Sequence, residues 1–207
     1  MTESAFLGVD GSLGARRWTG PSAKVERLGA AIAQAHDLPE IVGRILAARD
    51  VALDEVPAYL APTLKDLLPD PSTLADMDKA AELLVATVNA RKRIAIFGDY
   101  DVDGGASSAL LVDWLRALGC AATVYIPDRI DEGYGPNDEA MIGLAAQHDL
   151  IICVDCGTLS HGPVGAAVGA GAEVIIADHH MAGETLPDCA AVVNPNRHDD
   201  ESGMGHL

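Results

Sequence analysis

The sequence predicts an α/β fold, with a mostly parallel, five-stranded sheet flanked by helices and preceded by a helical N-terminal region. Beyond residue 90, five short apolar runs of strand length alternate with segments whose apolar residues recur at helical spacing. The composition, 49% hydrophobic and 22% charged, is that of a globular protein. At 207 residues, the chain is long enough for one domain or two small ones.

Residues 1–75 form the predicted N-terminal region. The helical pattern there runs from Ser22 to Arg49, and Pro39 lies where a second helix can start. Residues 54–75 contain four prolines and short apolar clusters, which indicates a partly ordered connector. We therefore place a domain boundary before residue 76.

Residues 76–207 carry the predicted sheet. A helix at Asp76–Ala90 precedes it. The predicted strands are Arg93–Phe97, Ala122–Ile126, Leu150–Val154, Glu173–Ala177 and Ala190–Val193. The predicted helices between them are Ala106–Leu118, which ends at Gly119, then Asp138–Gln147 and Gly162–Ala170.

Ligands of such sheets bind outside the carboxyl ends of the strands, so the residues that follow each strand are the candidates for function. Asp99, Asp101 and Asp103 follow the first strand, in GDYDVDGG. Three carboxylates in one crevice need a cation, because like charges raise each other's pKa. A phosphate-binding glycine loop is excluded, since it offers bare N–H groups. An EF-hand is excluded because Leu110 stands where its glutamate is required.

Further metal ligands follow the third and fourth strands, namely Asp155 and the segment Asp178, His179 and His180. Carboxylates with imidazole and no thiolate favour Mn²⁺ or Mg²⁺ over structural Zn²⁺. The number of ligands exceeds what one ion needs, so we expect two ions that share a bridging carboxylate. Such a pair is typical of enzymes that hydrolyse phosphoesters or phosphoanhydrides.

Four other residues are candidates for substrate binding. Arg129 binds a phosphate or pairs with a neighbouring aspartate, and Tyr134 stacks on a base. Asn137 contacts substrate or, as we favour, caps the helix that follows it. Arg197 binds a phosphate or forms an ion pair within its loop, and the sequence does not separate these alternatives.

Five motifs together resemble the RecJ single-strand-specific DNA exonucleases of the DHH phosphoesterase superfamily. They are, in order, FGDYDVDGGASSALL, IPDRIDEGYGPN, VDCGT, ADHH and VVNPNR. RRWTGP and LKDLLPDPSTLADMDKA, nearer the N-terminus, also resemble that family. The resemblance implies metal-dependent 5′→3′ hydrolysis of single-stranded DNA in recombination and repair. It also implies a single-strand-binding protein and a helicase as partners.

The resemblance implies a role for each residue of the site. The implied metal ligands are Asp101, Asp103, His179 and a bridging Asp155. His180 is expected to contact the scissile phosphate, and Asp99 and Asp178 to orient the ligands without binding the ions. Gly105 and Ala106 stand where the family has Ala and Thr, which we expect to loosen a helix start.

The family continues beyond the point that corresponds to Leu207, with a further metal-binding aspartate, a second domain that grips nucleic acid and an oligonucleotide-binding fold. We therefore expect this chain to be an N-terminal fragment with a C-terminally incomplete DHH domain. Such a fragment is expected to bind metal poorly and not to cleave DNA by itself.

The net charge of the chain limits how it can bind nucleic acid. The chain has 14 Lys and Arg against 31 Asp and Glu, a net charge of −17, so it does not coat phosphate backbone unaided. Catalysis through bound cations stays compatible with this charge. Apolar runs fall short of the roughly 18 residues of a membrane helix, and the N-terminus lacks a basic n-region. We therefore expect a cytoplasmic protein without membrane contact.

Two alternatives stay open. The first is a smaller DHH phosphoesterase that acts on short oligonucleotides, cyclic dinucleotides or pyrophosphate, since its metal chemistry is the same. The second is a DHH domain kept as a non-catalytic scaffold, which the intact set of acidic and histidine ligands disfavours.

Overall fold

A computed structural model describes residues 5–206 and shows two compact units. The first ends at Pro69 and the second begins at Asp70, a few residues before the predicted boundary. Among the described residues, no helix combines the length and apolarity needed to cross a lipid bilayer.

The first unit is a helical hairpin with short helices after it. Its helices are α1 (Ala23–Ala35), α2 (Glu40–Ala48), α3 (Val56–Leu60) and α4 (Leu64–Leu67). Helices α1 and α2 approach so closely at Gly29 and Gly43 that a Cβ at Gly43 would overlap the Gly29 carbonyl oxygen. Ile32 and Leu46 lie in the small core that this packing buries. The predicted break at Pro39 is confirmed, since α2 starts at the next residue.

The second unit contains a five-stranded, all-parallel sheet, as the sequence predicted. Its strands are β1 (Ile94–Gly98), β2 (Ala122–Tyr125), β3 (Leu150–Val154), β4 (Glu173–Ala177) and β5 (Ala191–Val193). Their order across the sheet is β2-β1-β3-β4-β5. Strands β3 and β4 have the predicted bounds, β2 and β5 differ from prediction by one residue at one end, and β1 is shifted by one residue at both ends.

Helices cover both faces of this sheet. They are α5 (Met77–Asn89), α6 (Val102–Ala117), α7 (Asp138–Ala145) and α8 (His161–Gly169). Alternate strand residues serve the two faces: Phe97 and Ile151 pack with α7 and α8, whereas Ile96 and Ile152 pack with α5 and α6. This two-sided burial explains why the strands are continuous apolar runs.

Helix α6 begins at Val102, four residues earlier than predicted. The carboxylate of Asp101 caps it by accepting hydrogen bonds from the N–H groups of Asp103 and Gly104, at 2.9 and 3.1 Å. A glycine is required at position 104 because there is no room for a side chain: a Cβ there would lie 2.8 Å from the Asp99 carbonyl carbon. Consequently Ser107 and Ser108 lie in the second turn of α6.

The strand register aligns four polar residues at the carboxyl edge of the sheet. Gly98 is level with Val154, Val154 with Ala177, and Ala177 with Val193. The residues that follow these positions are all buried, and they are Asp99, Asp155, Asp178 and Asn194. The candidate site is built on this row.

Candidate metal centre

The site lies at the point where the strand order reverses. In the order β2-β1-β3-β4-β5, the chain leaves β1 on one side for β2 and returns on the other for β3. A crevice opens between such strands at their carboxyl ends, and ligands of doubly wound sheets bind there. Asp99 and Asp101 enter this crevice after β1, and Asp155 enters it after β3.

Oδ1 of Asp101 accepts the hydrogen bonds that cap α6, and the carboxyl group of Asp101 also contacts that of Asp155. The hydrogen bond from the Gly104 N–H is the largest cause that lowers the pKa of Asp101. Asp101 is therefore held as a carboxylate although it stands against another acid.

Asp155 adopts a left-handed backbone conformation, with φ of 59°, and its N–H donates to the Ala177 carbonyl at 2.9 Å. Its side chain is 5% exposed, and Oδ2 has no hydrogen-bond partner in the described part of the chain. Burial, and then the contact with Asp101, raises the pKa of Asp155 to about 6. Asp155 is thus a buried acid beside a second acid, an arrangement that a bound cation relieves.

Asp178 orients the two histidines that follow it. Its Oδ1 accepts a hydrogen bond from the His179 N–H at 2.8 Å and from the His180 N–H at 3.2 Å. The same oxygen lies 2.8 Å from His180 Nδ1, and this hydrogen bond raises the pKa of His180. Burial by itself would raise the pKa of Asp178, but hydrogen bonds from Thr158 and His180 hold it below its usual value.

Two groups of potential ligands share Asp155. One comprises Asp99, Asp101 and Asp155, and the other comprises Asp155, His179 and His180. Within each group the ligand atoms all lie within 4.8 Å of one another. Oδ1 of Asp99 is buried and, among residues 5–206, has no hydrogen-bond partner. Asp99 therefore points an unpaired oxygen into the site, although the sequence assigned it an orienting role.

Asp103 stands apart from these two groups. It is exposed on the first turn of α6 and lines a cavity of about 520 Å³ together with Asp155 and His179. The structure therefore places Asp103 on the wall of the site and not inside either cluster, in contrast to Asp101.

The donor set fits a hard or borderline divalent cation. It consists of carboxylate oxygens and imidazole nitrogens, and the two cysteines near it, Cys153 and Cys156, are buried as protonated thiols with raised pKa values. Two carboxylate oxygens without hydrogen bonds, on Asp99 and Asp155, face the place where a cation would neutralise them. Manganese or magnesium suits such ligands better than structural zinc.

Aromatic rings and one cation lie beside the histidines. The hydroxyl of Tyr134 is 3.2 Å from His180 Nε2, and the ring of Tyr134 packs edge to face with that of Tyr100. The guanidinium of Arg129 lies 5.3 Å from the centroid of Tyr100. Its two neighbouring aspartates form no ion pair with it in the described residues, and Asp128 instead accepts from backbone N–H groups. Sequence reasoning missed Tyr100, although it stands inside the first acidic motif.

The loop that carries Arg129 and Tyr134 is anchored by Glu132. This carboxylate accepts hydrogen bonds from the Tyr125 hydroxyl and, at 2.7 Å, from the Asp128 N–H. The bond to Glu132 is the main cause that raises the pKa of Tyr125 to about 12. Gly133 and Gly135 both have positive φ, as a tight turn at this point requires.

The structure favours a structural role for the remaining two candidates. Asn137 caps α7, because its Oδ1 accepts the Ala140 N–H at 2.9 Å. The side chain of Arg197 is 9% exposed and pairs with Asp76 at 2.9 Å and with Asp199 at 2.7 Å. The ion-pair alternative for Arg197 therefore describes this structure, and its phosphate-binding alternative does not.

Fold and site together define a parallel α/β domain with a carboxylate and histidine cluster at its topological switch point. The chain belongs to the DHH family: residues 93–207 match the model described as "DHH family, N-terminal domain". The resemblance that the sequence motifs indicated is confirmed.

The relatives with curated descriptions are longer than this chain. The single-stranded-DNA-specific exonuclease RecJ of Salmonella typhimurium is 40% identical over 167 residues, which is 80% of this chain and 28% of the relative. RecJ of Bacillus subtilis is 38% identical over 62% of this chain and 16% of its own length. The chain thus spans less than a third of these relatives.

Solved structures agree with this assignment. RecJ in complex with Mn²⁺ from Thermus thermophilus matches with a TM-score of 0.65 and 31% identity, over 88% of this chain and 25% of that one. An exonuclease RecJ bound to manganese matches with a TM-score of 0.57 and 39% identity, over 61% of this chain and 33% of that one.

Proposed function

We propose that this chain is the metal-binding DHH part of a 5′→3′ exonuclease that hydrolyses single-stranded DNA in recombination and repair. The observation that carries the proposal is the pair of ligand groups that share Asp155. The family membership and the manganese in related RecJ structures support it.

We infer that two ions bind, with Asp155 between them. Asp99 and Asp101 form one group of potential ligands with Asp155, and His179 and His180 form the other. When bound, Mn²⁺ or Mg²⁺ supplies Lewis acidity and lowers the pKa of a water molecule, which is what in-line displacement at phosphorus needs. The shared carboxylate keeps the two positions close, as two-ion chemistry requires.

Other residues of the chain are assigned to the substrate and to the orientation of the histidines. Asp178 holds the His180 imidazole at 2.8 Å, and we assign this imidazole to the scissile phosphate, with Tyr134 beside it. Asp103 lines the same cavity as Asp155, so its carboxylate is accessible to a metal ion that enters this cavity. We retain Asp103 as a ligand in the metal-loaded site on the family resemblance.

Arg129, Tyr100 and Tyr134 form the proposed contact with the DNA strand. A guanidinium binds phosphate, and exposed aromatic rings stack on unpaired bases, which are available only in single-stranded nucleic acid. The net charge of −17 means that the strand is attracted locally, at the ions and at Arg129, and not by a general basic surface. A single-strand-binding protein and a helicase, which would deliver such a strand, are the partner classes that we propose.

Calorimetric titration with Mn²⁺ tests the metal site. We expect weak but measurable binding to this chain, and we expect Asp155→Ala to abolish it. Asp113→Asn is the matched control, because it removes one exposed carboxylate from the outer part of α6, away from the ligand groups. Equal binding by the wild type and Asp155→Ala would overturn the proposed site.

Hydrolysis is tested with the native full-length protein, since the relatives extend far beyond the matched region. We expect Mn²⁺-dependent release of nucleotides from the 5′ end of a long single strand, with little release from duplex DNA. Preference for dinucleotides or pyrophosphate would identify the smaller phosphoesterase instead. Failure of the full-length protein to bind Mn²⁺ would identify a scaffold.

A further inference from the structure

We propose that Asn194, with Asn196 and Thr158, positions the Asp178–His180 segment for metal binding. None of these three residues belongs to either group of potential ligands. Their proposed role rests on the metal site described above, but the contacts that support it do not depend on any bound ion.

Asn194 follows β5 and is completely buried. Its Nδ2 donates to the His180 carbonyl oxygen at 2.9 Å and to the Thr158 hydroxyl at 2.8 Å. Its Oδ1 accepts the N–H of Asn196 at 2.8 Å. Both ends of this amide are therefore engaged, so the orientation of the side chain is determined.

Asn196 and Thr158 extend the same network to the rest of the segment. Asn196 Nδ2 donates to the His179 carbonyl oxygen at 2.5 Å. The Thr158 N–H donates to Asp178 Oδ2 at 3.1 Å, and the Thr158 hydroxyl also hydrogen-bonds the Asp178 side chain. The carbonyls of both histidines and the carboxylate of Asp178 are thus held by residues that follow β3 and β5.

This support is needed because β4 ends at Ala177. Beyond that residue, the Asp178 N–H still bonds to the Val193 carbonyl, at 3.0 Å, but the histidines lie past the last ladder position. Both histidine side chains are about half exposed, and their contacts are with Asp155, Asp178 and Tyr134, so core packing does not set the position of their backbone. The amide network supplies the restraint that packing does not.

Partners that orient metal ligands typically change metal affinity by about 10- to 100-fold when they are removed. A merely structural buried amide would lower the stability of the whole domain and leave the histidines where they are. A positioning role therefore predicts a local loss of order at the histidines, whereas a merely structural role predicts a loss of stability throughout the domain.

The test compares matched variants of the full chain by Mn²⁺ calorimetry and by hydrogen–deuterium exchange. Asn194→Asp keeps the size and the oxygen that accepts from Asn196, but loses both donated hydrogen bonds. Thr158→Val removes a hydroxyl with little change of shape, and Thr158→Ser keeps that hydroxyl. Ile94→Val is the stability control, because Ile94 is buried at the amino end of β1, away from the site.

We expect Asn194→Asp and Thr158→Val to weaken Mn²⁺ binding at least tenfold and to speed backbone exchange in residues 178–182. Thr158→Ser should stay within about threefold of wild-type affinity, since it retains the hydrogen bonds. Ile94→Val should lower the melting temperature with neither local effect. If Asn194→Asp does not fold, the Thr158 pair carries the test.

Wild-type affinity and exchange in both Asn194→Asp and Thr158→Val would overturn the positioning role. An affinity that falls equally in Ile94→Val would also overturn it, because binding would then follow global stability. If the wild-type chain binds no Mn²⁺, the metal site proposed above fails for this chain. The exchange of residues 178–182 in Thr158→Val against Thr158→Ser then decides whether the network holds the segment.

Discussion

The Nε2 atom of His179 lies 3.2 Å from Oδ1 of Asp155, although the two residues follow different strands. The contact depends on the parallel register of β3 and β4, which places Asp155 and Asp178 level at the edge of the sheet. An acid with a raised pKa and an imidazole thus meet at the carboxyl edge of the sheet, in the proposed metal site.

The affinity of the chain for Mn²⁺ should decrease as the pH is lowered below 6. The pKa of Asp155 is raised to about 6, mainly by burial and then by Asp101, so this carboxyl group carries a proton below that pH. Metal binding must expel the proton, and affinity should therefore drop about tenfold for each pH unit below 6 for this one site. Calorimetry between pH 5 and pH 7.5, in buffers of different ionisation enthalpy, measures both the affinity and the proton release. A constant affinity over this range would contradict the prediction.

Asp101→Asn should prevent the stabilisation of the chain by Mn²⁺ and should change the stability of the metal-free chain little. The substitution removes a negative charge beside Asp155, and Asn still caps the helix, although without the charge. We expect the melting temperature of the metal-free chain to change by less than about 2 °C, because the relief of charge repulsion at Asp155 offsets the loss of the charged cap. Asp101→Ala is the comparison, since it removes the charge and the cap together. A melting temperature for Asp101→Asn below that of Asp101→Ala would show that the cap explanation is wrong.

Two adjacent glycines of α6 should respond to alanine in opposite directions. Gly105 has no atom within 4 Å of an added Cβ, so Gly105→Ala should stabilise the helix by up to about 1 kcal/mol. A Cβ at Gly104 would meet the backbone of Asp99, so Gly104→Ala should cost about 1–3 kcal/mol and displace Asp99. Urea unfolding measures both free energies. Equal effects of the two substitutions would contradict the close approach of α6 to the end of β1.

Arg197 should contribute more to stability than an exposed arginine with a similar partner. Its side chain is 9% exposed between Asp76 and Asp199, and the guanidinium also donates to the Val192 carbonyl. We expect Arg197→Ala to lower the free energy of unfolding by about 2 kcal/mol, as for hydrogen bonds to charged groups.

Arg93→Ala is the matched comparison for that measurement. Arg93 pairs with Asp149 at 3.3 Å, but its side chain is 61% exposed, so we expect a loss below about 1 kcal/mol. Unfolding in urea gives both values, and a cycle with Asp76→Asn isolates the pair. A loss at Arg197 no larger than that at Arg93 would show that burial adds nothing to this ion pair.

Local patterns predicted the strands well and the start of one helix badly. Strand β3 is buried along its whole length and β4 at its three central residues, so each contains an apolar run with clear ends. Helix α6 starts inside the acidic motif, because the Asp101 side chain replaces the missing hydrogen-bond partners of the first turn. Apolar spacing begins only later in that helix, and so the prediction started at Ala106.

The candidate site was predicted by residue type, and its arrangement was predicted only in part. The convergence of Asp101, Asp155 and His179 followed from the parallel sheet alone. The separation of Asp103 from both ligand groups follows from its place in the first turn of α6, two residues after the capping residue Asp101. The role of Asn194 was not visible in the sequence, because its partners come from two other strand ends.

The sequence by itself determined which segments become strands and which polar residues follow them, because side-chain periodicity and burial are local properties of a parallel sheet. It also determined the chemical class of the site through the residue types at those strand ends. The tertiary structure decided the strand order, and with it the place of Asp99, Asp101 and Asp155 at the β1–β3 crevice. It also decided which carboxylate oxygens stay without hydrogen bonds, because that depends on contacts between residues far apart in the chain.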